Sequence, residues 1–128
     1  MKIYTSYYAK CRRIPHTITR ISIAGKAPAG YRGIEYKVLA PKKEFFMQWK
    51  ENHDNNYYIK CFNEQVLSHL NPVEVYNRLE ELSCGQDIVL ICYEKSGDFC
   101  HRYLVADWLS KNLGIEVKEW TEDEVQTV

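Results

Sequence analysis

No sign of charge dominates this chain: 17 lysines and arginines stand against 17 aspartates and glutamates in 128 residues. Proteins that coat nucleic acid or lie on anionic membranes carry a basic excess, so both partners are set aside. No apolar run approaches the roughly 18 residues that would suggest a membrane span. Glycine (6) and proline (4) are scarce and no repeat or low-complexity stretch is present, which excludes fibrous and disordered classes. The opening Met1-Lys2-Ile3-Tyr4 has no secretory pattern. Five cysteines, odd in number and irregularly spaced, argue for reduced thiols and a cytoplasmic location rather than a disulfide framework.

The remaining composition is that of one globular domain: 45% hydrophobic and 13% aromatic residues in 15.1 kDa. We expect a domain over residues 1–120 and a flexible acidic tail over 121–128. Strand formers fill 2–8, and Ile18, Ile21 and Ile23 alternate through 17–24. "GKAPAGYRG" reads as a loop. After Pro41, Phe45, Phe46 and Trp49 mark a first helix, and Tyr58, Cys61, Phe62, Val66 and Leu70 a second. Asn71-Pro72 with Glu74 is a capping signature for a third helix, ended by Gly85. "DIVLICYE" (87–94) is a continuous apolar run, the mark of a central strand covered on both faces. Asp98 is the expected N-cap of a last helix with the stripe Leu104, Val105, Trp108 and Leu109. Gly114 closes it, and "IEVKEW" supplies a final strand. The fold class is α/β: a small three-layer domain whose mostly parallel sheet has about four strands, with helices on both faces. The connection between the first two strands is short for a parallel crossover, so an antiparallel pair is the alternative there.

Chemistry concentrates in "ICYEKSGDFCHRYLVADWL" (91–109). Ligands of open parallel sheets sit outside the carboxyl ends of the strands, and the N-terminus of a following helix favours an anion. Lys95 and Arg102 add positive charge. Arg12, Arg13, Lys26 and Arg32 join them if the first two strands run parallel to the 87–94 strand. Cys92 lies at the strand's end. Cys100, in the first helical turn beside His101, is a candidate reactive thiolate. Glu94 is a candidate general acid or base. Each residue also has a plain structural use: Asp98 as a cap, Cys92 and Cys100 as small core residues, His101 as a hydrogen-bonded core side chain, and Arg102 as a partner for Glu94.

Three familiar motifs fail. A cysteine-phosphatase loop needs arginine six positions after its cysteine, and counting from Cys92 reaches Asp98. Cys92, Cys100 and His101 match no standard zinc spacing, and adjacent ligands seldom both reach one ion, so no metal and no cofactor are expected. Neither a Walker loop nor a dinucleotide fingerprint occurs.

The segment "LICYEKSGDFCHRYLVADWL" (90–109) resembles the C-terminal signature of the domain of unknown function 488 family, in which an apolar strand runs into C-x-E-K and then C-H-R on a helix. "ISIAGKAPAGYRGIEYKVLAP" (21–41) and "YYIKCFNEQVLSHLNP" (57–72) are similar to other segments of that family. The resemblance marks Cys92, Glu94, Lys95, Cys100, His101 and Arg102, and further Arg12, Arg13, Pro28 and Tyr36. It implies a site without naming a reaction. Members usually have a helix between the first two strands, where this chain has a short Arg-Arg loop.

The expected partner is a phosphate-bearing small molecule of nucleotide or nucleotide-sugar type. Cys100, Glu94 and His101 would be catalytic; Arg102, Lys95, Cys92, Arg12, Arg13, Lys26 and Arg32 would bind the ligand. The alternatives are a non-catalytic protein that sequesters such a ligand, and an interaction module whose polar edge is structural.

Overall fold

The structure, a computed structural model, describes residues 1–126. Strands β1 (Ile3–Tyr7), β2 (Thr19–Ser22), β3 (Ile34–Glu35), β4 (Ile88–Cys92) and β5 (Val117–Glu119) form one parallel sheet in the order β3-β2-β4-β1-β5. Helices α1 (Lys43–Asn52), α2 (Asn55–Gln65), α3 (Pro72–Ser83) and α4 (His101–Leu113) fall between the third and last strands. This is the expected α/β class, with a fifth strand supplied by the two residues of β3.

Five buried residues in a row, Ile88–Cys92, make β4 the centre of the sheet. It pairs with β1 on one side (Ile3 opposite Ile88) and β2 on the other (Thr19 opposite Ile88). The first two strands are therefore not neighbours, and the antiparallel alternative is excluded. Successive side chains of β4 point to opposite faces. Ile88 and Leu90 meet the α-helices through Phe45, Phe62, Leu79, Val105 and Leu109. Val89 and Ile91 meet Tyr4, Ile14, Ile18 and Trp120 on the other face. That second layer is thin: the 3-10 helix Tyr8–Arg13, the turn after it, and the chain beyond β5.

The Arg-Arg loop thus contains a short helix. A 3-10 helix rises about 2.0 Å per residue against 1.5 Å in an α-helix, so a short connection can pass over β4 and still enter β2 in parallel. Arg20 on β2 holds this crossover by donating to the carbonyls of Cys11, Ile14, Pro15 and Ile18. One guanidinium thus ties together four backbone carbonyls, of which those of Cys11 and Pro15 also accept the N–H of Ile14 and Ile18.

Asn71 caps α3 as expected, its Oδ1 accepting from Val73 and Glu74 N–H at 2.9 and 3.2 Å. The start of α4 differs from expectation. Its N-cap is Cys100, because Lys95–Asp98 first form a turn closed by Asp98 N–H to Lys95 carbonyl at 3.1 Å. Phe99 then packs against Tyr58 and Trp49, at ring separations of 5.0 and 5.5 Å, before the helix begins. Tertiary packing thus moves the cap two residues past Asp98.

Of the acidic tail, residues 127 and 128 lie outside the described residues. Within them, Glu122–Gln126 form a 3-10 helix, with Glu122 near Lys10 (2.8 Å) and Arg13 (3.6 Å) and Glu124 near Lys118 (2.8 Å). Among the described residues no helix is long and apolar enough to cross a membrane.

Candidate functional site

Arg102 has no donor left for a ligand. Its side chain is fully buried. Nε and Nη2 grip Glu119 at 3.2 and 2.8 Å. Nη1 donates to the Glu94 carbonyl at 2.6 Å and to Cys92 Sγ at 3.3 Å, and Nη2 also donates to the Tyr103 hydroxyl at 2.9 Å. All five guanidinium N–H groups are accounted for. The anion clamp expected from the sequence is instead a brace that joins the end of β4, the first turn of α4 and the end of β5.

Glu119, which sequence reasoning missed, is the other half of that brace. It also accepts from Thr5 and Ser96 hydroxyls, each at 2.5 Å, and from Tyr103 at 3.2 Å. Burial raises its pKa, but hydrogen bonds from Arg102, Ser96 and Thr5 outweigh burial and hold the carboxyl below its ordinary value. A signal was present in "IEVKEW": alternation puts Glu119 on the same inward side as Val117, where an edge strand needs a reason to carry a carboxylate.

Cys92 and Cys100 are both buried, and their sulfurs are joined to each other as a disulfide. This corrects the expectation of reduced thiols throughout. The strand end and the N-cap are brought side by side by the connection between them, whereas Cys11, Cys61 and Cys84 remain free thiols. A bonded sulfur offers no thiolate, so Cys100 can be a nucleophile only in the reduced protein.

His101 is buried against Phe62, at a ring separation of 5.6 Å. Its Nε2 lies 2.7 Å from the Ile23 carbonyl, and Nδ1 lies 3.9 Å from Cys100 Sγ. A carbonyl can only accept, so Nε2 carries the proton and Nδ1 holds the lone pair. Burial lowers the imidazole pKa to about 4; the Ile23 bond opposes this and Arg102 reinforces it. The unfolded chain takes up this proton at about pH 6.5 and the folded one only near pH 4. Stability from the neutral ring is therefore complete above pH 6.5 and lost as pH falls towards 4, by about 3 kcal/mol over the window. Urea titrations of parent and His101→Gln at pH 7 and pH 4.5 check this: the parent should lose more of its stability than the variant.

The six expected cations do not converge. Because β4 separates β1 from β2, the chain after β1 crosses the second face and carries Arg12 and Arg13 with it. Arg13 pairs with Glu122, while Arg12 and Arg32 line a cleft of about 840 Å³ beside β2 and β3, together with His16, Pro28 and Tyr31. Lys95 is exposed on the turn before α4, and Tyr36 is half-buried against the core.

Lys26 lies elsewhere, at a second pocket of about 470 Å³ reached from the carboxyl ends of β2 and β4. Cys92 and His101 form part of its wall, with Phe46 and Tyr93 providing rings and Lys50 and Glu94 providing charge. Tyr8, in the wall of the larger cleft, has its ring 5.5 Å from Tyr31 of the same cleft and 4.7 Å from Tyr93 of the smaller pocket. The smaller pocket therefore gathers Cys92, Glu94, His101 and Lys26 from the expected set, and adds Lys50 and Phe46 from α1.

The family model DUF488-N3a, described as the active DUF488-N3 subclade, matches residues 3–113. The chain belongs to this family. No curated protein and no solved structure matches it. The DUF488-N3a match runs from β1 to the end of α4, so it contains the whole wall of the smaller pocket and ends before Glu119.

Proposed function

We propose that this DUF488-N3a protein binds a phosphate-bearing small molecule of nucleotide type in the 470 Å³ pocket and acts on it with Glu94 as acid–base group. One observation carries the reading: Lys26 and Lys50 flank that pocket without a carboxylate partner among the described residues, beside the rings of Phe46 and Tyr93. Two unneutralised ammonium groups favour an anion, and two rings give a flat aromatic group a surface to stack on. The volume suits a small ligand. The position, outside the carboxyl ends of parallel strands, is where open α/β sheets hold ligands. The word "active" in the description of the family model favours turnover over sequestration.

The test is a thermal-shift screen of nucleotides, nucleotide sugars and ADP-ribose, followed by mass analysis of each stabilising compound after incubation. A ligand at a hundred times its dissociation constant adds about 2.7 kcal/mol, a visible shift. Lys26→Ala/Lys50→Ala should remove that shift, and Glu94→Gln should keep it while abolishing conversion. Unchanged ligand with parent and Glu94→Gln alike would favour a binding protein. No stabilisation by any phosphate compound would sink both readings.

A further inference from the structure

We propose that Cys92, Cys100 and His101, once the two sulfurs are reduced, form a three-ligand site for a thiophilic divalent cation of the zinc class. Two sulfurs and one imidazole nitrogen lie within 4.8 Å of one another, all on buried residues. Two thiolates and a histidine are a donor set that selects zinc-like ions over magnesium or calcium.

Geometry supports each ligand. With metal–sulfur and metal–nitrogen bonds of about 2.3 and 2.0 Å, tetrahedral ligands stand roughly 3.5 Å apart. The Cys100 Sγ to His101 Nδ1 distance is 3.9 Å. Although these residues are adjacent, Cys100 has extended backbone and His101 opens the helix, and the bend between them brings both side chains to one place. The Nε2–H bond to the Ile23 carbonyl fixes the ring so that the Nδ1 lone pair faces the sulfur, the orienting contact that metal-binding histidines make with their second nitrogen. Arg102 Nη1 donates to Cys92 Sγ at 3.3 Å, which stabilises a thiolate there. The Cα atoms of the two cysteines are 7.5 Å apart. That exceeds the usual range of about 4.4–6.8 Å for bridged pairs, so the sulfurs can separate around a cation once the bond is reduced.

Charges balance as well. Two thiolates neutralise a divalent ion, and Arg102 is already matched by Glu119. Three protein ligands leave a fourth position for water or a ligand oxygen. Since Cys92 and His101 also line the 470 Å³ pocket, that position has a neighbouring cavity. Opening the site consumes two electrons and two protons at the S–S bond, supplied by a dithiol that becomes a disulfide. A phosphine can replace it: one phosphine and one water yield the phosphine oxide and two thiols. Cation binding then releases the two thiol protons.

The experiment uses the full chain carrying Cys11→Ser, Cys61→Ala and Cys84→Ser, so that only the two cysteines of the site remain. The protein is reduced with a phosphine, desalted without air, and titrated with Co²⁺ and then Zn²⁺ in the absence of any nucleotide. We expect one equivalent of Co²⁺ with thiolate-to-cobalt charge-transfer absorption, bleached by Zn²⁺, and no such band in the bridged protein. Cys100→Ser should weaken binding at least tenfold, and His101→Gln should weaken it while leaving some thiolate absorption. Circular dichroism identifies any variant that fails to fold; the reduced-against-bridged comparison of the parent then decides alone. A reduced parent that takes up no cobalt, or a folded Cys100→Ser protein that binds like its parent, overturns the site. Neither result depends on what fills the pocket.

Discussion

Replacing Arg102 by methionine is expected to lower the unfolding free energy by roughly 3–5 kcal/mol, the range seen when one member of a buried ion pair is removed. For a chain of this size that is a fall of about 10–20 °C in melting temperature. The cost arises less from the lost attraction than from what stays behind. Glu119 keeps its hydrogen bonds to Thr5, Ser96 and Tyr103 but loses its one ion-pair partner among the described residues, and the Glu94 carbonyl loses its donor. Arg102→Lys restores the charge without the fork and should recover only part of the loss, because an ammonium cannot reach five acceptors spread around a plane. Arg102→Met/Glu119→Gln should be more stable than the sum of the single changes predicts, since it leaves no unmatched charge. Urea unfolding of the parent, the Arg102→Met, Arg102→Lys and Glu119→Gln single variants and the double variant measures this, and simple additivity of Arg102→Met with Glu119→Gln would refute the brace.

The second large effect is expected at Trp120. It is nearly fully buried and packs with Tyr4, Ile14, Ile18, Val89 and Ile91 on the face that, among the described residues, no α-helix covers. Trp120→Ala removes the largest side chain of that thin layer and should cost about 3–5 kcal/mol. Trp120→Phe should cost much less. The indole N–H has no hydrogen-bond partner among the described residues, so the smaller ring gives up packing but also removes a buried donor without an acceptor. Thermal denaturation ranks the three proteins. If alanine were tolerated as well as phenylalanine, the second core would not depend on this ring.

Where local pattern and tertiary demand agree, the sequence was readable. The apolar run of β4, the Asn71-Pro72 start of α3 and the Gly114 stop of α4 each rest on short-range physics, and each is found. Propensity favours Asp98 as the cap. Phe99, whose partners lie on α1 and α2, has the stronger claim on the backbone. Two residues of β3 give no periodicity to detect. Positive charge beside a helix N-terminus points to Arg102 as an anion ligand, although its spacing to Val105, Ala106 and Leu109 places it on the buried side of the helix. Both opening strands do run parallel to β4, the condition for grouping the cations, yet parallel direction alone does not bring their loops to one place. Strand order decides that, and strand order depends on contacts some 85 residues apart, such as Ile3 with Ile88.

That order also governs how the protein is made. Both opening strands hydrogen-bond to β4, so a growing chain has no central template until residue 92 has been added, and of the sheet only the short β2–β3 ladder can form earlier. The guanidinium of Arg102 gains its counter-charge only when residue 119 follows. The chain must leave the ribosome as far as residue 119 before this interior can close, so apolar strands stay uncovered through most of that synthesis.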